Sequence, residues 1–238
     1  MKVFLTNIYC RLASLTLGLW LLGGVMLILA AGSFLQGEGS SINEVALLEW
    51  LREVPFRDSW WLWIAIALLA VLALNTLLCS IDSLRTKWQK GSFLVRIAPQ
   101  LMHLGFLFIM LAHLQSAYGG FKQSMQVEGG SAITFPDGSN VVFTDFAATY
   151  SRMGMPTAYS ATLNCRSEGQ IITAIISPNH PFFHQGHGIY IKDIAPPPMK
   201  AALVEVHKEP GAGMALAGGA LFTVANLILL ARRREKTL

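Results

Sequence analysis

The chain has 238 residues and a net charge of +4, and is 53% hydrophobic but only 13% charged. Ordinary soluble domains carry about a quarter charged residues, so this composition points to a membrane protein before any motif is read. The basic residues cluster at the ends of apolar stretches and no DNA- or RNA-binding signature is present, so no nucleic-acid partner is expected.

Four stretches, about 12–36, 59–81, 97–121 and 210–231, contain no Asp, Glu, Lys or Arg. Each reaches the roughly 20 residues that a helix needs to cross a bilayer. The first outlasts the h-region of a signal peptide, about 7–15 residues, and "GSFLQGEGSS" after it offers no small-x-small cleavage site, so it reads as a retained anchor. Lys2 and Arg11 precede the first stretch, Arg85, Lys87, Lys90 and Arg96 separate the second from the third, and Arg232, Arg233, Arg234 and Lys236 close the chain. The first loop holds only Arg52 and Arg57, diluted by five acids. By the positive-inside rule, both termini and the second loop are expected in the cytoplasm and residues 119–210 outside it.

The expected fold is an integral membrane α + β protein: four transmembrane helices, with an extracytoplasmic antiparallel β domain between the third and fourth. The boundaries read as a cytoplasmic N-terminus and first span over 1–36, an outer loop over 37–59 and a second span over 60–81. A basic cytoplasmic loop over 82–98, a third span over 99–118 and the β domain over 119–210 follow. A fourth span over 211–231 and a cytoplasmic tail over 232–238 complete the chain.

In the outer loop, "INEVALLEWLREV" sets Ile42, Val45, Leu48 and Leu51 three residues apart, away from Glu44, Glu49, Arg52 and Glu53. That spacing predicts a short amphipathic helix on the outer membrane surface. Trp60, Trp61 and Trp63 open the second span and read as interfacial anchors. Beyond the third span, "SAITFPDGSNVVFTDF" is two strands about a Pro-Asp-Gly turn, and "TAYSATLNCRSEGQIITAIIS" repeats the pattern about Ser-Glu-Gly. "GIYIKDI" and "AALVEVHKE" supply further strands. About 90 residues in six or seven strands suit a small antiparallel sandwich or open barrel.

Cys10 and Cys79 lie at membrane edges and Cys165 is alone in the β domain. There is no Cys-x-x-Cys, which excludes a dithiol oxidoreductase, and no Cys-x-x-Cys-His for covalent haem. "NHPFFHQGHGIY" places His180, His184 and His187 at metal-like spacing. A helix that would put all three on one face must contain Pro181 and two glycines, at costs of roughly 3 and 1 kcal/mol each. Along a strand, His187 points away from the other two. No acid lies between Glu168 and Asp193, so the Glu of a His-Glu-x-x-His hydrolase is missing. The stretch therefore reads as a turn entering the strand "HGIYIKD".

Two histidines fall within the bilayer. His103 lies seven residues past Arg96, about 10 Å along the third span, and His113 is ten residues further, about 15 Å nearer the outside and roughly 80° around. An ionisable residue in a span is a functional candidate by default, and neutral imidazole is a common axial ligand of haem. His113 sits near the outer interface, where water satisfies it. His103 is deeper and is followed by Gly105, which permits close helix packing.

The second span resembles that of the ResB (CcsB) family, in Ser59, Trp60, Trp61, Leu74, Asn75, Leu77, Leu78 and Cys79, with Leu62 for the family Phe. "AAGSFLQ" is similar to the family's Gly-Thr-x-x-Pro-Gln, with Ser33 for Thr and Leu35 for Pro. "LMHLGFLFIMLA" resembles its His-Leu-Gly start to the third span. Asn179, Pro181, Gly186 and Tyr190 are similar to a family turn of the form Asn-x-Pro, a gap, Gly, then Tyr. This chain resembles a short form of the family.

The resemblance implies a role in system II cytochrome c biogenesis, in the bacterial inner (cytoplasmic) membrane. It implies a partner of the ResC or CcsA kind, which bears the Trp-rich haem-binding loop, and apocytochrome c as the recipient. On that reading the chain is a haem-handling or accessory subunit of a cytochrome c haem lyase. Its cofactor site is His103, on haem b that is transported or shared with the partner. The alternative is a non-catalytic scaffold whose β domain docks apocytochrome or other assembly factors. A metal-dependent enzyme in the β domain is disfavoured, since the sequence shows neither a Ser/His/Asp set nor paired carboxylates.

Overall fold

In a computed structural model, residues 2–35, 42, 45–87, 93–167, 169–196 and 198–235 are described. Glu44 of the amphipathic pattern, Lys90, Glu168 and Lys236 lie outside these residues. The chain divides into a helical unit, residues 1–42, 47–118 and 211–238, and a β unit, residues 43–46 and 119–210.

The helical unit comprises α1 (Lys2–Leu12), α2 (Leu15–Leu35), α3 (Leu47–Glu53), α4 (Phe56–Lys87), α5 (Phe93–Gly119) and α6 (Ala212–Glu235). Four segments, Leu15–Leu35, Phe56–Arg85, Arg96–Gly119 and Ala212–Ala231, are long and apolar enough to cross a membrane. α4 runs well beyond the apolar stretch that marks it, and its 32 residues extend about 48 Å at 1.5 Å each.

Small residues let these helices pair. Trp61, Leu68 and Asn75 of α4, spaced by sevens, meet Gly32, Gly24 and Gly18 of α2 in reverse order, so the two helices run antiparallel. The ring of Trp61 fills the space a side chain at Gly32 would take. Trp61 is 5% exposed, whereas Trp60 and Trp63 remain exposed. Trp61 is therefore a knob in a helix seam and not an interfacial anchor. Among the described residues of the amphipathic segment, α3 supplies seven α-helical residues, and it buries Trp50 as well as Leu51. Trp50 packs 6.5 Å from Trp61, ring to ring.

α5 and α6 pair in the same manner. A methyl on Gly105 would lie 2.7 Å from the Gly218 carbonyl, and one on Gly211 would overlap the Ala112 carbonyl. Gly105 and Ala112 stand seven apart on α5, as Gly211 and Gly218 do on the facing segment, so the contact repeats each two turns. The Gly211 N–H, ahead of α6, donates to Ser116 Oγ at 3.2 Å, which satisfies one of the orphan donors of a helix start.

The β unit has eight strands in two antiparallel sheets, β1 (Phe121–Glu128), β8 (Ala201–Lys208), β7 (His187–Ile194), β6 (Phe182–His184) in one and β2 (Ala132–Thr134), β3 (Asn140–Tyr150), β4 (Pro156–Ser167), β5 (Gln170–Ile176) in the other. Sequence patterning anticipates the β2–β3 and β4–β5 hairpins with β7 and β8. It misses β1, whose "FKQSMQVE" is mostly polar, and β6, only three residues long. One core cluster draws on both sheets, with Phe143, Leu163, Ile176 and Ile189 fully buried. This is a sandwich, tied across its rim where Tyr159 donates to the Lys192 carbonyl at 2.8 Å.

β8 is central, between β1 and β7, and is buried on both faces. On its outer face Glu205, 6% exposed, is covered by Lys122 at 3.4 Å, Lys192 at 3.3 Å and His207 at 3.5 Å. The two lysines reach in from the neighbouring strands β1 and β7, and His207 lies two residues on along β8, so a carboxylate in a central strand is paired without leaving the sheet.

Candidate functional site

His103 lies in the third turn of α5 and is half-buried. Its Nδ1 is 2.8 Å from Ser80 Oγ on α4. Ser80 Oγ also lies 2.8 Å from the carbonyl of Thr76. With the Ser80 proton on the Thr76 carbonyl, the Ser80 oxygen accepts from His103 Nδ1–H and Nε2 keeps its lone pair; with the proton turned to Nδ1, the roles reverse. No hydrogen bond to Nε2 is found among the described residues. Ser80 is a residue that sequence reading misses. The signal was present as Thr76-x3-Ser80, one helical turn apart in an apolar span.

Gly105, two residues on, meets the backbone of α6 at Gly218 and Phe222. α5 is thereby held between α4, through the Ser80 bond, and α6, through backbone contact. His113 is exposed on the same helix.

The motif residues of the second span occupy a different place. Asn75 Nδ2 donates to the carbonyls of Leu12 and, at 3.0 Å, Ser14, and Cys79 Sγ lies 3.1 Å from the Ala13 carbonyl. The Leu12 and Ala13 carbonyls fall at the break between α1 and α2, and the Ser14 carbonyl, which also accepts from Gly18 N–H at 3.1 Å, opens α2. Asn75 and Cys79, one turn apart on α4, satisfy them within an apolar surrounding.

The histidine-rich stretch folds as two turns. Asn179 (φ 67°) shapes the Ser177–His180 turn, and Gln185 (φ 49°) with Gly186 (φ 73°) forms the two-residue loop between β6 and β7. Positive φ at both loop positions is the I′ geometry that suits a twisted hairpin. His184 and His187 are therefore directly paired across the hairpin and share a face, both ringed against Phe135 at 5.3 and 5.4 Å. This corrects the expectation that His187 points away. That expectation assumed one continuous strand, and the chain reverses between the two residues.

His184 is enclosed in a polar chain. Its Nε2 is 2.7 Å from Ser139 Oγ, which donates to Asp137 Oδ1 at 2.6 Å, and its Nδ1 is 3.8 Å from Cys165 Sγ. The Ser139 proton is committed to the carboxylate, so His184 Nε2–H donates to Ser139 and Nδ1 accepts from the thiol. Asp137 is held below the usual carboxylate range, chiefly by the Ser139 hydroxyl and then by the Ser139 backbone N–H. Burial, with a further push from Asp137, raises the Cys165 thiol above its ordinary value. A serine bound directly to a carboxylate and a thiol kept protonated are not activated nucleophiles. His180 is exposed and outside this chain of bonds.

Residues 89–202 match the ResB-like family model. No curated protein matches the chain. In structure the chain is similar to "Cytochrome c Heme Lyase CcmF", with a TM-score of 0.45, 14% identity and coverage of 88% of this chain and 34% of that one. The chain thus spans about a third of that protein's length, and the likeness is too slight to carry an argument. The family match leaves out the first, second and fourth spans, and includes His103, Gly105 and the Asn179–Tyr190 turn. Over residues 89–202, from before the third span through most of the β unit, the chain is similar to the ResB-like family.

Proposed function

We propose that this chain is a haem-handling subunit of a membrane complex in cytochrome c biogenesis, with His103 as one axial ligand to a b-type haem. The observation that carries the reading is the setting of His103 within a ResB-like segment: Nδ1 is hydrogen-bonded to Ser80 Oγ at 2.8 Å, and Nε2 meets no hydrogen-bond partner among the described residues. A ligating histidine almost always donates its other ring N–H, which sets the tautomer and raises the basicity of the ligating nitrogen. Haem, when bound, supplies an iron that takes neutral imidazole. Ser80 holds the ring in one orientation, and the α5–α6 contact at Gly105 fixes the helix that carries it.

His103 offers one ligand only. The second comes from another site or from a partner, which favours a complex with a CcsA- or ResC-like membrane protein that performs the attachment. The lysine and arginine distribution supports cytoplasmic termini and a β unit outside, in a bacterial cytoplasmic membrane, where it faces apocytochrome c. On this reading the chain is an accessory subunit of a haem lyase and the covalent chemistry belongs to the partner.

The test is His103→Ala in the purified complex. Ala is the more membrane-compatible residue, so insertion and protein level should hold. Bound haem, read from the Soret band, and mature cytochrome c should fall more than about tenfold, as expected for loss of a ligand worth more than about 1.4 kcal/mol. Added imidazole should partly restore the haem. His113→Ala should do much less. Equal haem in wild type and His103→Ala would reject the ligand and leave a scaffold whose β unit docks apocytochrome or assembly factors.

A further inference from the structure

Arg96, Gln100 and His103 recur at i, i+4 and i+7 on α5, so they share a face. Arg96 and His103 stand about 10 Å apart along the axis and only about 20° apart around it. The Nε of Arg96 and the Oε1 of Gln100 are both buried without a hydrogen-bond partner. Buried orphans are rare in folded proteins, and a missing ligand is one cause. Here two of them lie on the face of the candidate ligand, one and two turns away from it.

The plainer account makes Arg96 an interfacial anchor that extends its charge toward lipid headgroups. It explains the guanidinium tip. It does not explain why Nε is turned inward, or why a second orphan follows one turn deeper at Gln100. The Tyr9 hydroxyl on α1 is the third buried side-chain atom of this kind among the described residues.

We propose that Arg96 and Gln100 form a carboxylate-binding subsite that holds the propionate edge of the haem ligated at His103, an inference that rests on the haem reading above. Arg96 Nε–H together with a terminal N–H makes the planar fork that fits a carboxylate with two parallel bonds. A half-turn of the Gln100 amide exchanges oxygen and nitrogen of nearly equal size and presents a further N–H donor. The same oxyanion chemistry would accept a phospholipid headgroup. A propionate accounts for the shared face with His103.

The full chain in a neutral detergent is titrated with haemin and with haemin dimethyl ester, in which both propionates are masked, and Soret absorbance is read. Wild type should bind haemin about tenfold more tightly than the ester, since a charge-assisted fork is at stake. Arg96→Gln should lower haemin binding to the level of the ester and leave ester binding unchanged, which also shows the fold intact. Arg96→Lys should keep part of the preference, as a point charge without the fork. Wild type binding both forms equally, with His103→Ala losing both, overturns the subsite and spares the axial ligand. No difference between wild type and His103→Ala with either form, or no Soret band at all, overturns both. Mass spectrometry of co-purified lipid separates the sources: if Arg96→Gln sheds a retained anionic phospholipid and keeps the haemin-to-ester ratio, the subsite belongs to a headgroup and the proposal falls.

Discussion

The helical and β units are built inside out relative to one another. In the β unit the large side chains are inside, with Phe143, Leu163 and Ile189 at 0% exposure. In the helical unit many of them are outside, with Phe34 89% exposed, Trp20 77% and Leu27 75%, and beside Trp50 and Trp61 the buried positions include the small Gly32, Ala65, Ala98 and Ala225. The sandwich is driven by removal of apolar area from water. Between helices in lipid that drive is absent, and close backbone approach with internal hydrogen bonds takes its place. A polar side chain inside the helical unit therefore requires a partner, and Ser59, Asn75 and Thr76 each bond a carbonyl. Against that pattern, the open Nε2 of His103 and the orphans at Arg96 and Gln100 stand out.

The comparison can be broken with one residue type. Phe143→Ala should destabilise the β unit by about 3–5 kcal/mol, as for other buried aromatics. Phe34→Ala, on a lipid-facing surface, should stay within about 0.5 kcal/mol. Denaturant titration of the full chain in micelles, followed by hydrogen exchange of strand and helix amides, measures both. Equal effects would mean that the two units share one packing logic.

A smaller effect sharpens the helical side. Gly218 touches the Gly105 carbonyl and Ile109, whereas its neighbour Gly219 has nothing within 4 Å of an added Cβ. Gly218→Val should cost about 1–3 kcal/mol by overpacking. Gly219→Val, with the same change in helix propensity, should be close to neutral in thermal melts of the helical signal. Two equal losses would attribute the glycines to backbone flexibility and not to the seam.

The smallest expected effect is at Asp137, which is exposed. Its folded pKa is depressed, so its contribution is complete above the ordinary carboxylate value of 3.8 and is lost as pH falls through the lower folded value. The wild-type melting temperature of the β unit should thus exceed that of Asp137→Asn above about pH 4, and the gap should close under stronger acid. A gap independent of pH would show that Ser139 and His184 are held by packing and not by the carboxylate.

Much of this was legible in sequence because its causes are local or periodic. Charge-free runs mark spans through the thickness of a bilayer, and Pro-Asp-Gly and Ser-Glu-Gly mark hairpins through backbone preferences. Asn75 and Cys79 were visible as a motif but not as caps of the break between α1 and α2, since their acceptors lie more than sixty residues away. Trp61 looked like its neighbours until Gly32 was seen to receive it. The facing of His184 and His187 depended on a chain reversal that periodicity does not encode.

The sequence by itself determined the four apolar helices, the β character of the segment between the last two, and His103 and His113 as ionisable groups within a span, because solvent preference and strand alternation act along the chain. Only the tertiary structure decided that Ser80 hydrogen-bonds His103 Nδ1, that Arg96 and Gln100 bury unpartnered atoms on the same face, and that Asp137, Ser139, His184 and Cys165 form one hydrogen-bonded chain. Those facts depend on which elements pack together, and hydrogen bonds of about 3 Å between distant residues have no signature in local pattern.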